Sequence, residues 1–253
     1  MPQLESEFLF RYIDEYLGVA GFPDYPGAMN GLQVEGAAQV QRLAAAVDVS
    51  EASIAAAAEE GADLLLVHHG LFWGGAAPLT GRRFRKVAAL IRNELALYSA
   101  HLPLDAHPEI GNCAVLAREL GFEPVERFGT FEAHDIGFVV GTDEPIHGLR
   151  KRMAEVLGGP VQLLPGGPER ASRVGIVTGG GGSFLELAAE GGLDTLITGE
   201  VNHHAYVEAI ELGMNVLLGG HYLTEVWGVR ALASHLEQKF GIPWVFLDLP
   251  SGL

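Results

Sequence analysis

Two histidines stand side by side where an apolar run ends, in Leu64-Leu65-Leu66-Val67-His68-His69-Gly70. Four apolar residues account for a buried strand. They do not account for two imidazoles at its end, followed by a Gly that lets the chain turn. Imidazole is the commonest metal-ligating side chain. Successive side chains of an extended strand diverge, so the pair suits one ring to each of two neighbouring ions, delivered from the loop just after the strand. His221 and Glu225 are spaced by four, which on a helix puts both on one face. A carboxylate there, near a helix start, is favoured by the macrodipole. Asp105 follows the Pro-containing segment that begins at His101, and Glu200, His203 and His204 follow a further apolar run.

A lone His after a strand is usually a hydrogen-bonded surface or core residue. The combination of a vicinal pair, a His/Glu pair and an Asp after three different strands makes that account hard to sustain. His203 and His204 read equally well as site neighbours or as an exposed helix start. His134, His147 and His235 read as structural or solvent-facing, and Cys113 as a small buried apolar residue. Mixed imidazole and carboxylate donors suit Zn, Mn, Fe, Co or Ni without choosing among them. Two such ions roughly 3.5–4 Å apart can activate a bridging water, the logic of metal-assisted hydrolysis.

The elements that must position these residues alternate between strand and helix. An amphipathic helix is expected over 4–18, with Leu4, Phe8, Tyr12 and Leu17 on one side. A loop-rich passage runs from Gly21 to Gly36. Strand 40–47, an N-cap in Asp48-Val49-Ser50, helix 51–60 and strand 63–67 make a βαβ unit, which favours a parallel sheet. A helix follows within 78–94, with Phe84, Val87, Ala88 and Ile91 on one face, then strand 95–100 and helix 112–120. Pro and charge interrupt the rhythm over 123–133. Beyond it come strand 136–140, helix 145–157, and strands 161–164 and 174–178. A Gly-rich turn at Gly179–Gly182 opens a helix to 189. Strand 195–198, helix 206–212, strand 216–218, a long helix to about 240 and strand 244–247 complete the chain. Candidate ligands thus follow four strands, and ligands bind outside the carboxyl ends of strands in open α/β sheets. The glycine run lacks a Walker lysine and reads first as a tight structural turn, with an anion held by backbone N–H groups as the alternative.

Composition narrows the classes. The chain has 253 residues, 32 Asp+Glu against 16 Lys+Arg and a formal net charge of −16, so a sequence-independent nucleic-acid binder is not expected. The run Arg82-Arg83-Phe84-Arg85-Lys86 reads first as the solvated start of a helix, and less commonly as a patch that steers an anion. A single cysteine, Cys113, fits a reducing cytoplasm. Residues 1–5 show neither a basic nor an apolar signal region, and no stretch is apolar for long enough to span a membrane.

In combination, Asn30-Gly31-Leu32-Gln33-Val34-Glu35-Gly36, Val67-His68-His69-Gly70-Leu71-Phe72-Trp73, His101-Leu102-Pro103-Leu104-Asp105, Thr198-Gly199-Glu200 and Gly220-His221-Tyr222-x-x-Glu225 resemble the YbgI-like family of dinuclear metal proteins. Its members are labelled GTP cyclohydrolase I type 2 homologues, or NGG-one-interacting-factor-like proteins. The resemblance runs nearly end to end. It implies two divalent ions per subunit on His68, His69, Asp105, His221 and Glu225, with His101 and Glu200 near them. It also implies a toroidal homohexamer and an α/β fold of two lobes with mixed or parallel sheets. The metal-binding lobe would be 1–124 plus 220–253, with 125–219 inserted into it. The family motif commonly has Thr-Asn where this chain has Leu102-Pro103, a change that keeps both His101 and Asp105. The leading expectation is a metal-dependent hydrolase of a nucleotide-like or pterin-like substrate, with His101 or Glu200 handling protons. The alternative is a non-catalytic, metal-binding hexameric scaffold, metal-handling or regulatory protein.

Overall fold

The computed structural model describes residues 4–75 and 77–253. The first three positions of the N-terminal run lie outside them. The residues group into two compact units, Met1–Leu104 with Gly228–Leu249, and Asp105–Trp227 with Pro250–Leu253.

The first unit begins with Leu4–Glu5 (β1), Ser6–Leu17 (α1), Gly31–Val34 (β2), Gln39–Val40 (β3) and Leu43–Asp48 (β4). It continues with Glu51–Glu59 (α2), Leu64–His69 (β5), Gly81–Arg92 (α3), Ala96–Ser99 (β6) and the helical turn Leu102–Asp105 (α4), where the division falls. The second unit holds Asn112–Glu119 (α5), Glu126–Phe131 (β7), His134–Pro145 (β8), Ile146–Leu157 (α6), Gln162–Pro165 (β9) and Arg170–Ile176 (β10). After a 3-10 turn at Gly181–Phe184 come Leu185–Glu190 (α7), Thr195–Thr198 (β11), Ala205–Leu212 (α8) and Asn215–Leu218 (β12). His221–Phe240 (α9) starts in the second unit and ends in the first, which Trp244–Phe246 (β13) completes.

This is an α/β protein with two mixed sheets. The five-stranded sheet of the first unit has the order β13-β4-β5-β6-β2; the first four strands are parallel and β2 is an antiparallel edge. The six-stranded sheet of the second unit has the order β7-β8-β10-β11-β12-β9, with β10, β11 and β12 parallel and the others antiparallel. The central strand β5 is apolar without alternation because Leu64, Leu65, Leu66 and Val67 are all fully buried, as a strand covered on both faces requires. Helix α2 starts at a capping box: Ser50 and Ser53 bond reciprocally to each other's backbone N–H, satisfying two of the donors that a helix start leaves open.

The units differ in extent from the lobes read in the sequence. Residues 105–124 and 220–227 cluster with the second unit, since α5 contributes Cys113, Ala114, Leu116 and Ala117 to the core that holds Val140, Leu149, Met153 and Ile176. Several faces and boundaries also differ. Helix α1 buries Leu9, Phe10, Ile13 and Leu17; Phe8 and Tyr12 turn instead to the end of α9, each meeting Phe240 edge-on. Helix α3 buries Leu90, while Phe84 and Ile91 are exposed. Strand β5 extends through both histidines, which the sequence had placed in the following loop. The interrupted stretch over 123–133 is largely strand β7, which pairs with β8 in a hairpin. Its turn puts Glu132 and Ala133 at φ 43° and 74°, a conformation that Asn-Gly or Asp-Gly normally announces and that these residues conceal.

Among the described residues, no helix is long and apolar enough to cross a membrane. Leu65 lies at the centre of the first unit's core, so Leu65→Ala should cost about 2–5 kcal/mol, the usual range for a large-to-small core change. A denaturant titration showing a loss under about 1 kcal/mol would contradict that placement.

Candidate metal centre

Each sheet delivers its chemistry at the carboxyl ends of three neighbouring parallel strands. In the first unit these are β4, ending in Asp48, β5, ending in His68 and His69, and β6, which runs into Ala100 and His101. His68 lies fully buried and His69 is one-fifth exposed. The ligand atoms of His68, His69 and His101 all lie within 4.8 Å of one another. The two ring centroids are 4.7 Å apart, and each ring is held from the neighbouring strand on its own side. His68 leans toward β6, where its Nδ1–H donates to the Ala100 carbonyl at 2.8 Å. His69 leans toward β4, where its Nδ1–H donates to Asp48 Oδ1 at 2.9 Å.

His101 is held in the same way: its Nδ1–H donates to Asp24 Oδ1 at 2.8 Å. Its backbone N–H donates to Asn30 Oδ1, and Asn30 Nδ2 in turn donates to the other Asp24 oxygen. Burial pushes the Asp24 carboxyl up. The hydrogen bond and charge of His101, with Asn30 and the Tyr25 N–H, outweigh it and hold the group below the usual carboxylate value. Gln33 accepts from Leu71 N–H at 2.7 Å and fixes the turn after β5. A Cβ on Gly70 would lie 2.3 Å from Gln33 Nε2 and 2.6 Å from Ser99 Oγ, so a larger residue after the histidine pair would displace the Gln33 and Ser99 side chains.

In the second unit, β10 runs into Gly179, β11 into Gly199 and Glu200, and β12 into His221 at the start of α9. The spacing of four brings His221 Nε2 to 3.1 Å from Glu225 Oε2, with Glu225 almost wholly buried. On the far side of the ring, His221 Nδ1–H donates to Glu200 Oε1 at 2.9 Å. Glu200 therefore stands behind His221 and orients it. The hydrogen bond that Glu225 accepts raises the His221 imidazole to about 9; burial opposes this, and the charge of Glu225 and the contact with Glu200 reinforce it. The glycine run is a packing device. Gly179 has φ +59°, and a Cβ there would sit 1.9 Å from Glu225 Oε1 and 3.2 Å from His221 Nε2. A Cβ on Gly181 or Gly182 would lie 2.7 Å from Thr198 Oγ1 or Val201 Cγ1. Asp105, also buried, accepts from Asn112 Nδ2 at 2.8 Å. Its charge adds to burial in pushing the Cys113 thiol up to about 12, an inert buried thiol.

His203 and His204 precede α8 and are exposed, with His204 3.9 Å from Glu208. His134 and His147 are exposed, and His235 stacks on Tyr12 and Tyr16. The sequence reading did not single out Asp24, Asp48 or Asn112. Asp24 sits in a Pro-flanked loop and Asp48 in a presumed cap, and neither context signals a partner for a ring distant in sequence.

The donor set fits divalent metal. A neutral imidazole has one lone pair, and a hydrogen bond from Nδ1–H leaves it on Nε2. Four histidines have Nδ1 committed to a carbonyl or carboxylate, the arrangement that orients metal-ligating imidazoles. The cradle at Gly179, which a single methyl group would fill, keeps space against Glu225 and His221.

The Duf34/NIF3 (NGG1p interacting factor 3) family matches residues 7–251. A Deinococcus radiodurans protein named GTP cyclohydrolase 1 type 2 homolog is 46% identical over 99% of this chain and 95% of its own length. An Archaeoglobus fulgidus protein of the same name is 44% identical over 96% of this chain and 97% of its own length. Among solved structures, one from Thermus thermophilus is 42% identical with a TM-score of 0.90, covering 99% of this chain and 100% of that one. Another, described as protein ybgI of unknown function, is 36% identical with a TM-score of 0.91 over 99% and 100%.

In metal-free protein His221 should stay protonated at neutral pH and titrate near 9. Because this folded value lies above the ordinary histidine value, the pair's contribution to stability is complete below about 6.5. It fades as pH rises through 9. Glu225→Gln should return the titration toward about 6.5, read from the imidazole C–H resonances. An unchanged titration would show that Glu225 does not set it.

Proposed function

Since the chain belongs to the Duf34/NIF3 family, we propose that it is a metal-dependent hydrolase whose two divalent ions are held by His68, His69, Asp105, His221 and Glu225. The observation that carries this reading is the commitment of Nδ1 of His68, His69 and His221 to an oxygen acceptor, which presents Nε2 as the donor. Divalent ions on these residues would supply an activated water and charge stabilisation for a leaving or carbonyl oxygen. The protein's own residues do the rest. Ala100 and Asp48 fix the rings of His68 and His69, Asn112 orients Asp105, and Glu200 orients His221. With its Nδ1–H held by the Asp24 carboxylate, His101 presents Nε2 to take up a proton. Glu200 serves as a positioning residue in place of the proton-handling role read from sequence.

The names of the relatives point to GTP-like heterocycles as substrates to screen first. The hexamer expected from the resemblance has support in α8, which leaves Tyr206, Val207 and Ile210 about half exposed, an apolar face suited to an interface between copies. Light scattering should give six chains per particle.

Elemental analysis of the native protein should find about two transition-metal equivalents per chain, the stoichiometry of a two-ion site. His68→Ala and Glu225→Ala should each lower it with the fold retained by circular dichroism. Unchanged stoichiometry in both variants would sink the ligand assignment. Full metal loading with no turnover across nucleotide and pterin substrates would turn the reading toward a metal-binding scaffold.

A further inference from the structure

The basic run of α3 is at odds with its setting. The chain carries a net charge of −16, yet Arg82, Arg83, Arg85 and Lys86 fall within the first two turns of one helix, whose first turn holds no acidic residue. Cations at a helix N-terminus oppose the macrodipole, which favours anions there. Thr80 precedes the helix in extended conformation and its side chain makes no cap. By helix geometry the N–H groups of Gly81, Arg82 and Arg83 have no acceptor within the helix.

Among the described residues, only one of these side chains is neutralised nearby. Arg85 forms a bidentate pair with Glu51, at 2.7 to 3.0 Å. Among the described residues, Arg82, Arg83 and Lys86 have no carboxylate within ion-pair distance. Two of them are held in place by backbone oxygens: Lys86 Nζ donates to the Val49 carbonyl at 2.8 Å, and Arg83 to that of Ala77 at 3.3 Å. Arg83 also lies over the Phe72 ring at 5.8 Å. Burial, and then the nearby charge of Arg82, hold the Lys86 ammonium below its usual value, against the pull of Glu51 and Asp48. A bound anion would relieve that crowding.

These three cations face a cleft of about 300 Å³, whose other walls are Gly70, Leu71 and Trp73. Trp73 links it to the histidines. Its indole N–H donates to the Gly70 carbonyl at 2.8 Å, and its ring meets His101 edge-on at 4.9 Å and lies 6.1 Å from His69. We propose that this cleft is a phosphate seat, in which Arg82, Arg83 and Lys86 hold the phosphate end of a phosphorylated small-molecule substrate while Trp73 guides its remainder toward the histidine cluster. The size of the cleft and the acidity of the chain favour a small molecule over a nucleic acid. The second half of the proposal rests on the metal-centre reading; the seat itself does not.

The test is pyrophosphate binding by calorimetry to metal-loaded and metal-stripped protein, with metal per chain measured in every sample. Wild type is compared with Arg82→Gln/Lys86→Gln and with Arg85→Gln. Wild type should bind in both metal states. The double variant should bind roughly tenfold more weakly or worse, the scale of a lost charge-assisted hydrogen bond, with unchanged metal content and melting temperature. Arg85→Gln should bind as wild type does. Binding in a wild type found to hold no metal, lost in the double variant, would keep the seat and remove the metal reading. Binding that vanishes with the metal, is absent throughout, or survives the double substitution would overturn the seat.

Discussion

An imidazole has one lone pair to give, and the partner of its other nitrogen decides where that pair sits. This constraint governs both units. His68 is bound at Nδ1 by a backbone carbonyl, and His69, His101 and His221 by carboxylates. Each acceptor needs its own support, so the requirement spreads outward. Asp24 is buried, and a buried carboxylate is costly unless its oxygens are satisfied; Asn30, the Tyr25 N–H and His101 satisfy them. Four ring orientations thus give a purpose to loops that have no ligand of their own to offer.

The parallel strands are what make this arrangement attainable. Neighbouring strands run roughly 5 Å apart, so the end of one strand is within reach of a ring on the next. Asp48 lies directly opposite His69 in the β4–β5 register, and the β5–β6 register brings Ala100 beside His68. In the second unit the same geometry is compressed until side chains no longer fit. Gly179 and Gly199 leave room for Glu225 and His221 because any Cβ would occupy it, and Thr224 ties the turn to α9 through Gly179 N–H and the Gly220 carbonyl. Gly179 serves carboxylate placement, and Gly181 and Gly182 serve close packing against Thr198 and Val201.

The strand–helix alternation was legible from the apolar runs, and His68, His69, His101, Asp105 and His221 stood out because each comes soon after such a run, while Glu225 stood out by its spacing of four from His221. What was illegible depended on partners distant in sequence. Asp24 and Asp48 look like loop and cap residues until the rings they hold come beside them, 77 and 21 positions away. Helix faces misled for a related reason: Phe8 and Tyr12 are apolar, but their partner is the end of α9, over two hundred residues on. The β7–β8 hairpin was hidden by a turn built from Glu132 and Ala133 at positive φ. The unit boundary moved because α5 reads alike whichever core it packs on, and only tertiary contact assigns it.

The charge distribution ties the two parts of the first unit together. An acidic chain raises the local concentration of divalent cations and repels anions through its summed field. That field favours loading a metal centre and disfavours delivery of a phosphorylated substrate to it. A local exception is therefore required if such a substrate is to arrive, and it must lie close to the histidine cluster without adding a donor atom to it. Helix α3 meets both conditions: its cations line a cleft that ends at Trp73, and Trp73 touches His101 without offering a ligand atom. Arg85, the one cation of the run bound to a carboxylate, is absent from the cleft's walls. Among the described residues, the pairing of Arg85 and the lack of a carboxylate beside Arg82, Arg83 and Lys86 thus follow which of these side chains line the cleft.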